Sequence, residues 1–285
     1  MSRKVTIMRN SGFGASAATG IARPRRARAR SRIAYVTPHG SRRALPPVLL
    51  ASLLALVWHA VLFAGAELVP GLDAPHLTST LVTLCTLPVP LLAAAALGNW
   101  RSSGFAPDRD RPRAVAVTVP LFLVSLVYLV PGGIEGGGET LLRIAVFCLV
   151  VGLSEESLWR GVVHRVLTRL GRTPAAVWGG VLFGLGHALS GLWFDRPIDD
   201  TAFQVVSTAA FGFCYAAVRF DLATVWPLVA AHAVYNFAQY ASPGAAPWPV
   251  QLAVAAGFVA YGVWRLRRLD RTAADERTEP VPQPS

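Results

Sequence analysis

The chain has 285 residues, of which 53% are hydrophobic and 15% charged, with a formal net charge of +11. Ordinary soluble domains carry about a quarter charged residues, so this balance excludes one and points to a membrane protein. A basic excess can signal nucleic-acid binding, but here the arginines cluster at the ends of apolar runs, so membrane topology accounts for them and no nucleic-acid partner is expected.

Residues 1–44 hold Arg-Pro-Arg-Arg-Ala-Arg-Ala-Arg-Ser-Arg at 23–32 and no run able to form a core. They are predicted to be a disordered basic tail in the cytoplasm, solvated or lying on anionic lipid heads. Ser41-Arg42-Arg43 faintly resembles a twin-arginine signal, but the apolar run that follows is too long for a signal peptide and more such runs come after it. From Leu45 the apolar runs recur at spanning length, near 45–69, 76–98, 114–130, 140–167, 174–190, 201–218, 222–240 and 248–266. A bilayer-crossing helix needs about 20 residues, so the expected fold is an all-α polytopic bundle of about eight transmembrane helices.

The connecting segments alternate in charge. The tail to Arg43, the 99–113 loop, the turn with Arg165, Arg169 and Arg172, the Arg219 turn and the final tail are basic. The intervening loops hold Asp73, Glu135, Glu139, Asp195, Asp199 and Asp200 against Arg196 alone. The positive-inside rule then puts both termini in the cytoplasm of a cell-membrane protein. The expected organisation is a basic tail at 1–44, a transmembrane domain at 45–268 and a disordered cytoplasmic tail at 269–285. Cys85, Cys148 and Cys214 lie singly in apolar runs and read as small core residues, with no disulfide expected. The arginine bias over lysine reflects GC-rich coding, which points to a bacterial source.

Few polar side chains interrupt the spans, and most of them fall on spans 4, 5 and 7. Glu155, Glu156 and Arg160 lie in the fourth, His187 in the fifth, and His232 with Asn236 in the seventh. A charge at the bilayer centre costs about 2.5–3.5 kcal/mol on insertion scales, so such residues are kept for chemistry, transport or internal pairing. At the helical rise of about 1.5 Å per residue, Glu155 and His187 sit roughly 24 and 22 Å from the Arg172 turn, and His232 roughly 17 Å from the Asp221 turn. Three segments thus bring polar groups to one slab. Glu156 and Arg160, four apart, can pair on one helix face, which leaves Glu155 as the freer carboxylate. Two acids, two imidazoles and an amide can activate a water and stabilise an oxyanion, and Glu with His can also bind zinc. Taken singly, each has a plainer role: a structural ion pair at Glu156–Arg160, interhelical hydrogen bonds at His187, His232 and Asn236. His59, in the first span, reads as packing or a lipid-border residue. The Gly179, Gly180, Gly184 and Gly186 set reads as close packing that brings His187 toward Glu155.

The runs Glu155-Glu156-x-x-x-Arg160-Gly161, Phe183-x-x-x-His187 and His232-x-x-x-Asn236 resemble, in order and spacing, the CPBP family of intramembrane proteases. That family includes type II CAAX prenyl endopeptidases and bacteriocin-immunity (Abi) proteins. The resemblance covers about residues 140–240, with Trp159 standing where the family often has Phe. It implies an endopeptidase acting on a peptide or membrane-anchored protein, with Glu155 as general base on a water held with His187. It further implies that Glu156 supports the site with Arg160 paired to it, and that His232 and Asn236 face the oxyanion. The mechanism it implies is either metal-free or based on a divalent metal such as zinc, held by Glu155, His187 and His232. The H-E-x-x-H signature of zincins is absent, as is a serine-nucleophile motif within a span. The competing expectations are a non-catalytic membrane immunity or interaction protein and a proton-coupled transporter; no internal repeat supports the latter.

Overall fold

The structure, a computed structural model, describes residues 45–278 except 99, 108–110, 131 and 245. The expected basic tail at 1–44 lies outside the described residues. The rest is helical, with no strand among the described residues. In order the helices are α1 (Pro47–Leu68), α2 (Leu77–Thr86), α3 (Pro88–Ala96), α4 (Arg111–Ser125), α5 (Gly138–Glu156), α6 (His164–Leu167), α7 (Arg172–Trp193), α8 (Ile198–Arg219), α9 (Trp226–Tyr240) and α10 (Trp248–Thr278).

Local chemistry sets these boundaries. Pro47 opens α1, since a proline at the first helical position gives up only an N–H that has no helical partner anyway. Pro88 separates α2 from α3 within one spanning segment. Asp199 and Asp200 sit in the first turn of α8 and Arg219 in its last, each complementing the helix dipole. Helix α10 continues to Thr278, well past the span expected at 248–266, so the first residues of the expected C-terminal tail are helical.

The protein is a multi-pass membrane protein. Among the described residues, six helical segments are long and apolar enough to cross a bilayer: Pro47–Leu68, Leu77–Ala96, Pro112–Leu129, Arg172–Trp193, Ile198–Arg219 and Trp248–Asp275. Their outer faces are apolar. On α1 alone, Leu49, Leu53, Leu56 and Val57 are exposed, an arrangement that water would penalise and lipid rewards. The fourth and seventh expected spans depart from this pattern for different reasons. Helix α5 carries Glu139, Arg143, Glu155 and Glu156, and α9 has only 15 residues, about 22 Å of helix. Both are flanked by apolar neighbours rather than being apolar throughout.

Small residues decide which helices touch. A methyl on Gly180 would stand 2.7 Å from the Ala209 carbonyl oxygen, and one on Gly184 2.7 Å from that of Val205. These two glycines therefore seat α7 on α8, not His187 on Glu155 as the sequence suggested. The close approach that builds the centre occurs elsewhere, between α5 and α9. There a methyl on Gly152 would lie 2.9 Å from the Val229 carbonyl oxygen and 3.3 Å from the Ala233 nitrogen.

At one end of the bundle Asp221, in the α8–α9 turn, is buried between two arginines. Arg113 NH2 lies 2.7 Å from its Oδ1, and Arg265 Nε and NH2 lie 2.9 and 2.7 Å from its Oδ2. One carboxylate thus ties α4, the α8–α9 turn and α10 together. Beside it the Trp100–Phe105 stretch folds back onto the bundle, where Thr224 Oγ1 and the Val225 N–H both donate to the Gly104 carbonyl, at 2.8 and 2.9 Å. Gly104 has φ +84° and its missing side chain leaves the space taken by the Arg219 guanidinium, so no other residue fits there without strain.

The Gly152 contact makes a testable difference between two helix glycines. Gly152→Ala must push α9 away from α5, an overpacking cost of about 1–3 kcal/mol that exceeds the roughly 1 kcal/mol a helix gains on losing a glycine. Gly257→Ala, with open space around its Cα, keeps that gain. Thermal unfolding in detergent is expected to drop for the first variant and to hold or rise for the second. Equal shifts would remove Gly152 as the determinant of the α5–α9 approach.

Candidate active site

The centre is built on a change of helix type. Helix α5 ends at Glu156 and passes directly into a π-helical stretch, Ser157–Val163, before α6. A π turn widens the helix and disturbs its backbone hydrogen bonding. Arg219 answers part of that disturbance, donating from Nε to the Arg160 carbonyl at 3.0 Å and from NH1 to the Leu222 carbonyl. Gly161, within the same stretch, lets the Ser103 carbonyl and the Phe105 ring approach.

On this frame Glu156 and Arg160 are both shut off from solvent, with side chains 0% and 1% exposed. Arg160 NH1 lies 3.1 Å from Glu156 Oε1, so the expected i, i+4 ion pair forms, across the π stretch. The rings of Phe183, Tyr215 and Phe211 surround the guanidinium, with centroids at 4.7, 5.2 and 5.5 Å. Such faces favour a cation electrostatically and hold it dry. His232 reaches the same carboxylate from α9, with Nδ1 2.8 Å from Glu156 Oε1. Its Nε2 is directed to the neighbouring acid, 3.9 Å from Glu155 Oε2. The buried Glu156 carboxylate is thus met by the Arg160 charge and by a His232 hydrogen bond, and a buried charge is least costly when paired in this way.

Glu155 is the more open acid, its side chain 15% exposed against 0% for Glu156. With His187 it lines a cavity of about 50 Å³, closed by Trp58, His59, Leu62, Trp159, Phe183 and Ser190. A water needs at least about 10–15 Å³ of such space and several polar partners, and both are present. His187 Nδ1 is 2.9 Å from the Phe183 carbonyl. A carbonyl only accepts, so Nδ1 carries the proton and Nε2 of the neutral ring is the lone-pair nitrogen. Trp58 is fixed in the wall by donating from Nε1 to Ser154 Oγ at 3.1 Å, and Ser154 in turn meets Thr86 Oγ1.

Measured against the sequence, Glu155 and His187 share the cavity while Glu156, Arg160 and His232 form the charged layer beside it. Asn236 is half-buried one turn beyond His232, its side chain makes no hydrogen bond among the described residues, and it is not part of the cavity wall. Glu155, His187 and His232 do not form a metal-ligand group: no set of three or more His, Cys, Asp or Glu side chains among the described residues is arranged to hold an ion. The donor set as arranged therefore does not fit zinc.

One wall residue departs from the sequence reading. His59 does not border lipid: it is 4% exposed, packs against Trp58 and Phe63, and in addition lines the cavity with Glu155 and His187. A signal was available. Fifteen residues at about 1.5 Å each separate His59 from the basic tail ending at Ala44, the same depth of roughly 22 Å that singled out His187. Gly152, Ser154 and Trp58 carried no comparable sign, because their importance lies in contacts with other helices.

Comparison with known families matches residues 137–238 to type II CAAX prenyl endopeptidase Rce1-like proteins. Neither the curated proteins nor the solved structures give a match. The matched segment runs from α5 to α9 and contains every charged and imidazole group of the centre except His59.

The buried pair can be tested for what it contributes. Arg160→Met leaves Glu156 uncompensated, and removing one partner of a buried pair costs about 3–5 kcal/mol, so low yield and a lowered unfolding temperature in detergent are expected. Glu156→Gln added to Arg160→Met removes the stranded charge and is expected to recover stability relative to Arg160→Met alone. A double variant no better than the single would count against the pair.

Proposed function

We propose, from the match of residues 137–238 to type II CAAX prenyl endopeptidase Rce1-like proteins, that Glu155 is the general base of an intramembrane endopeptidase. The observation that carries this reading is the division of labour between adjacent acids. Glu156 is engaged through Oε1 by Arg160 and His232, whereas Glu155 faces a water-sized cavity together with His187. A base must be within hydrogen-bond reach of the water it deprotonates, and a carboxylate beside a lone-pair imidazole nitrogen offers two acceptors for the two O–H bonds of one water.

In the proposed reaction Glu155 takes a proton from that water as its oxygen attacks the carbonyl carbon of the substrate peptide. The carbonyl oxygen gains negative charge, which an N–H at His232 Nε2, the nitrogen not used on Glu156, can meet. Collapse of the tetrahedral intermediate breaks the C–N bond, and the proton held by Glu155 passes to the leaving nitrogen. Asn236 reaches the oxyanion in this scheme only after its side chain turns toward the cavity. Both termini are proposed to be cytoplasmic, since the Arg113–Asp221–Arg265 cluster gathers the basic ends of three segments at one end of the bundle. The substrate class is a peptide or the tail of a membrane-anchored protein.

Detergent-purified protein assayed on a quenched-fluorescent peptide library tests this directly. Glu155→Gln, His187→Ala and His232→Ala are each expected to abolish cleavage with the protein still folded. Asn236→Ala is expected to lower turnover by about 10²–10³, the usual loss of one oxyanion donor. Because the donor set does not fit a metal, cleavage is expected to survive chelation; loss of cleavage on chelation with recovery on adding zinc would reverse that. Wild-type cleavage by Glu155→Gln would remove the proposed base, and no cleavage by any form would favour a non-catalytic membrane protein.

A further inference from the structure

The polar groups of the cavity wall differ in what they have left to give. Both ring nitrogens of His59 face backbone carbonyls, that of Ala55 on its own helix at 2.8 Å and that of Gly186 on α7. The Trp58 N–H is given to Ser154. Glu155 and His187 Nε2 are the two acceptors for the two hydrogens of one water. Two donors remain in the wall, the Ser190 hydroxyl and the Trp159 indole N–H, and neither makes a side-chain hydrogen bond among the described residues. A serine hydroxyl rotates, and within a helix it can turn back to the carbonyl four residues earlier, as Ser125 and Ser207 do in this protein. An indole has no such recourse. Its N–H is a donor only and moves with the whole ring, and the Trp159 ring is 4% exposed and set edge-on to Phe183, their centroids 5.4 Å apart.

The packing of the ring shows where its N–H edge lies. Cζ2, two bonds from the nitrogen, would stand 3.7 Å from a methyl on Gly186, the residue before His187. That edge of the indole therefore meets α7 at the level of His187, while Glu155, four residues before Trp159, lines the same cavity. A buried indole N–H without an acceptor is costly in an apolar wall, and what satisfies it is an oxygen lone pair brought in by the occupant. The attacking water is the poorer partner, since its lone pair must stay free for the carbonyl carbon. The carbonyl oxygen of the peptide is the better one, because it gains negative charge as the water adds. Building on the endopeptidase reading, we propose that Trp159 is a catalytic residue whose Nε1–H donates to the scissile carbonyl oxygen and shares the developing charge with the N–H at His232 Nε2. It fills from the cavity wall itself the place for which Asn236 would first have to turn.

The test uses full-length protein in detergent and one quenched-fluorescent peptide that wild type cleaves and Glu155→Gln does not. Trp159→Phe keeps an aromatic ring against Phe183 and removes the N–H. Its kcat is expected to fall about 10²-fold, the lower end of what one oxyanion donor contributes, with KM near the wild-type value. Benzothienylalanine placed at position 159 keeps the bicyclic shape and puts sulfur where the N–H was, and it is expected to lose the same rate. A phosphinic analogue of the peptide, which presents a tetrahedral anionic oxygen at the scissile position, is expected to bind both variants about 10²-fold more weakly than wild type. If Trp159→Phe does not accumulate, the benzothienylalanine protein carries the comparison alone. Wild-type kcat in that protein assigns the ring to packing and overturns the proposal, as does a loss confined to KM or an undiminished affinity for the phosphinic peptide. Each of these leaves the endopeptidase reading intact. Failure of wild type to cleave any peptide, or cleavage persisting in Glu155→Gln, overturns both.

Discussion

The centre depends on keeping one carboxylate charged where no solvent reaches it. Glu156 has no exposed surface, and a lone carboxylate in that position would be neutralised or expelled. Arg160 supplies the compensating charge from the next turn, and His232 supplies a hydrogen bond from α9. Each partner constrains a helix. His232 reaches Glu156 only because Gly152 lets α9 lie against α5. Arg160 is held by rings from α7 and α8, with the π stretch around it braced by Arg219. Four helices are thereby ordered around a single acid, and the order leaves the adjacent acid, Glu155, without a strong partner and open to the cavity.

That arrangement explains why two consecutive glutamates can behave differently. They differ by about 100° in direction around the helix, enough to aim one into a charged, dry layer and the other into a small polar space. Desolvation is concentrated on Glu156, which has the compensation, while Glu155 retains partial exposure. A base that is too well paired would be a poor proton acceptor. The pairing of Glu156 is therefore a condition for the use proposed for Glu155.

Much of this was legible in the sequence because it rests on spacing along single helices. Glu156 and Arg160 four apart, and depths that agree between Glu155, His187 and His232, follow from helical geometry alone. What escaped rests on contacts between helices. The i, i+4 spacing of an ion pair does not distinguish an α turn from the π turn that Ser157–Val163 adopts. Gly152 looked like any glycine in an apolar run, while Gly180 and Gly184 drew attention as a motif and proved to join α7 to α8. His59 was passed over because no partner lies near it in the chain; its partners, Glu155 and His187, are on other helices. Of the eight expected spans, six are long apolar helices among the described residues, whereas α5 carries four charged residues and α9 has only 15 residues.

The cavity itself sets a further physical requirement. About 50 Å³ holds water, whose share of liquid volume is about 30 Å³, and does not hold a peptide. Peptide hydrolysis at this site thus demands that a wall yield. The walls differ in what secures them. Helices α5, α8 and α9 are joined by buried charges and hydrogen bonds, whose separation would strand Glu156 or Arg160 in an apolar medium. Against α7, helix α1 offers ring contacts, among them His59 beside Gly186 and Phe63 stacked on Trp193 at 4.5 Å. It also presents an apolar outer face that lipid can cover equally well after a shift. Moving α1 breaks the Trp58–Ser154 hydrogen bond but no ion pair among the described residues, so α1 is held less firmly than the walls joined by buried charge.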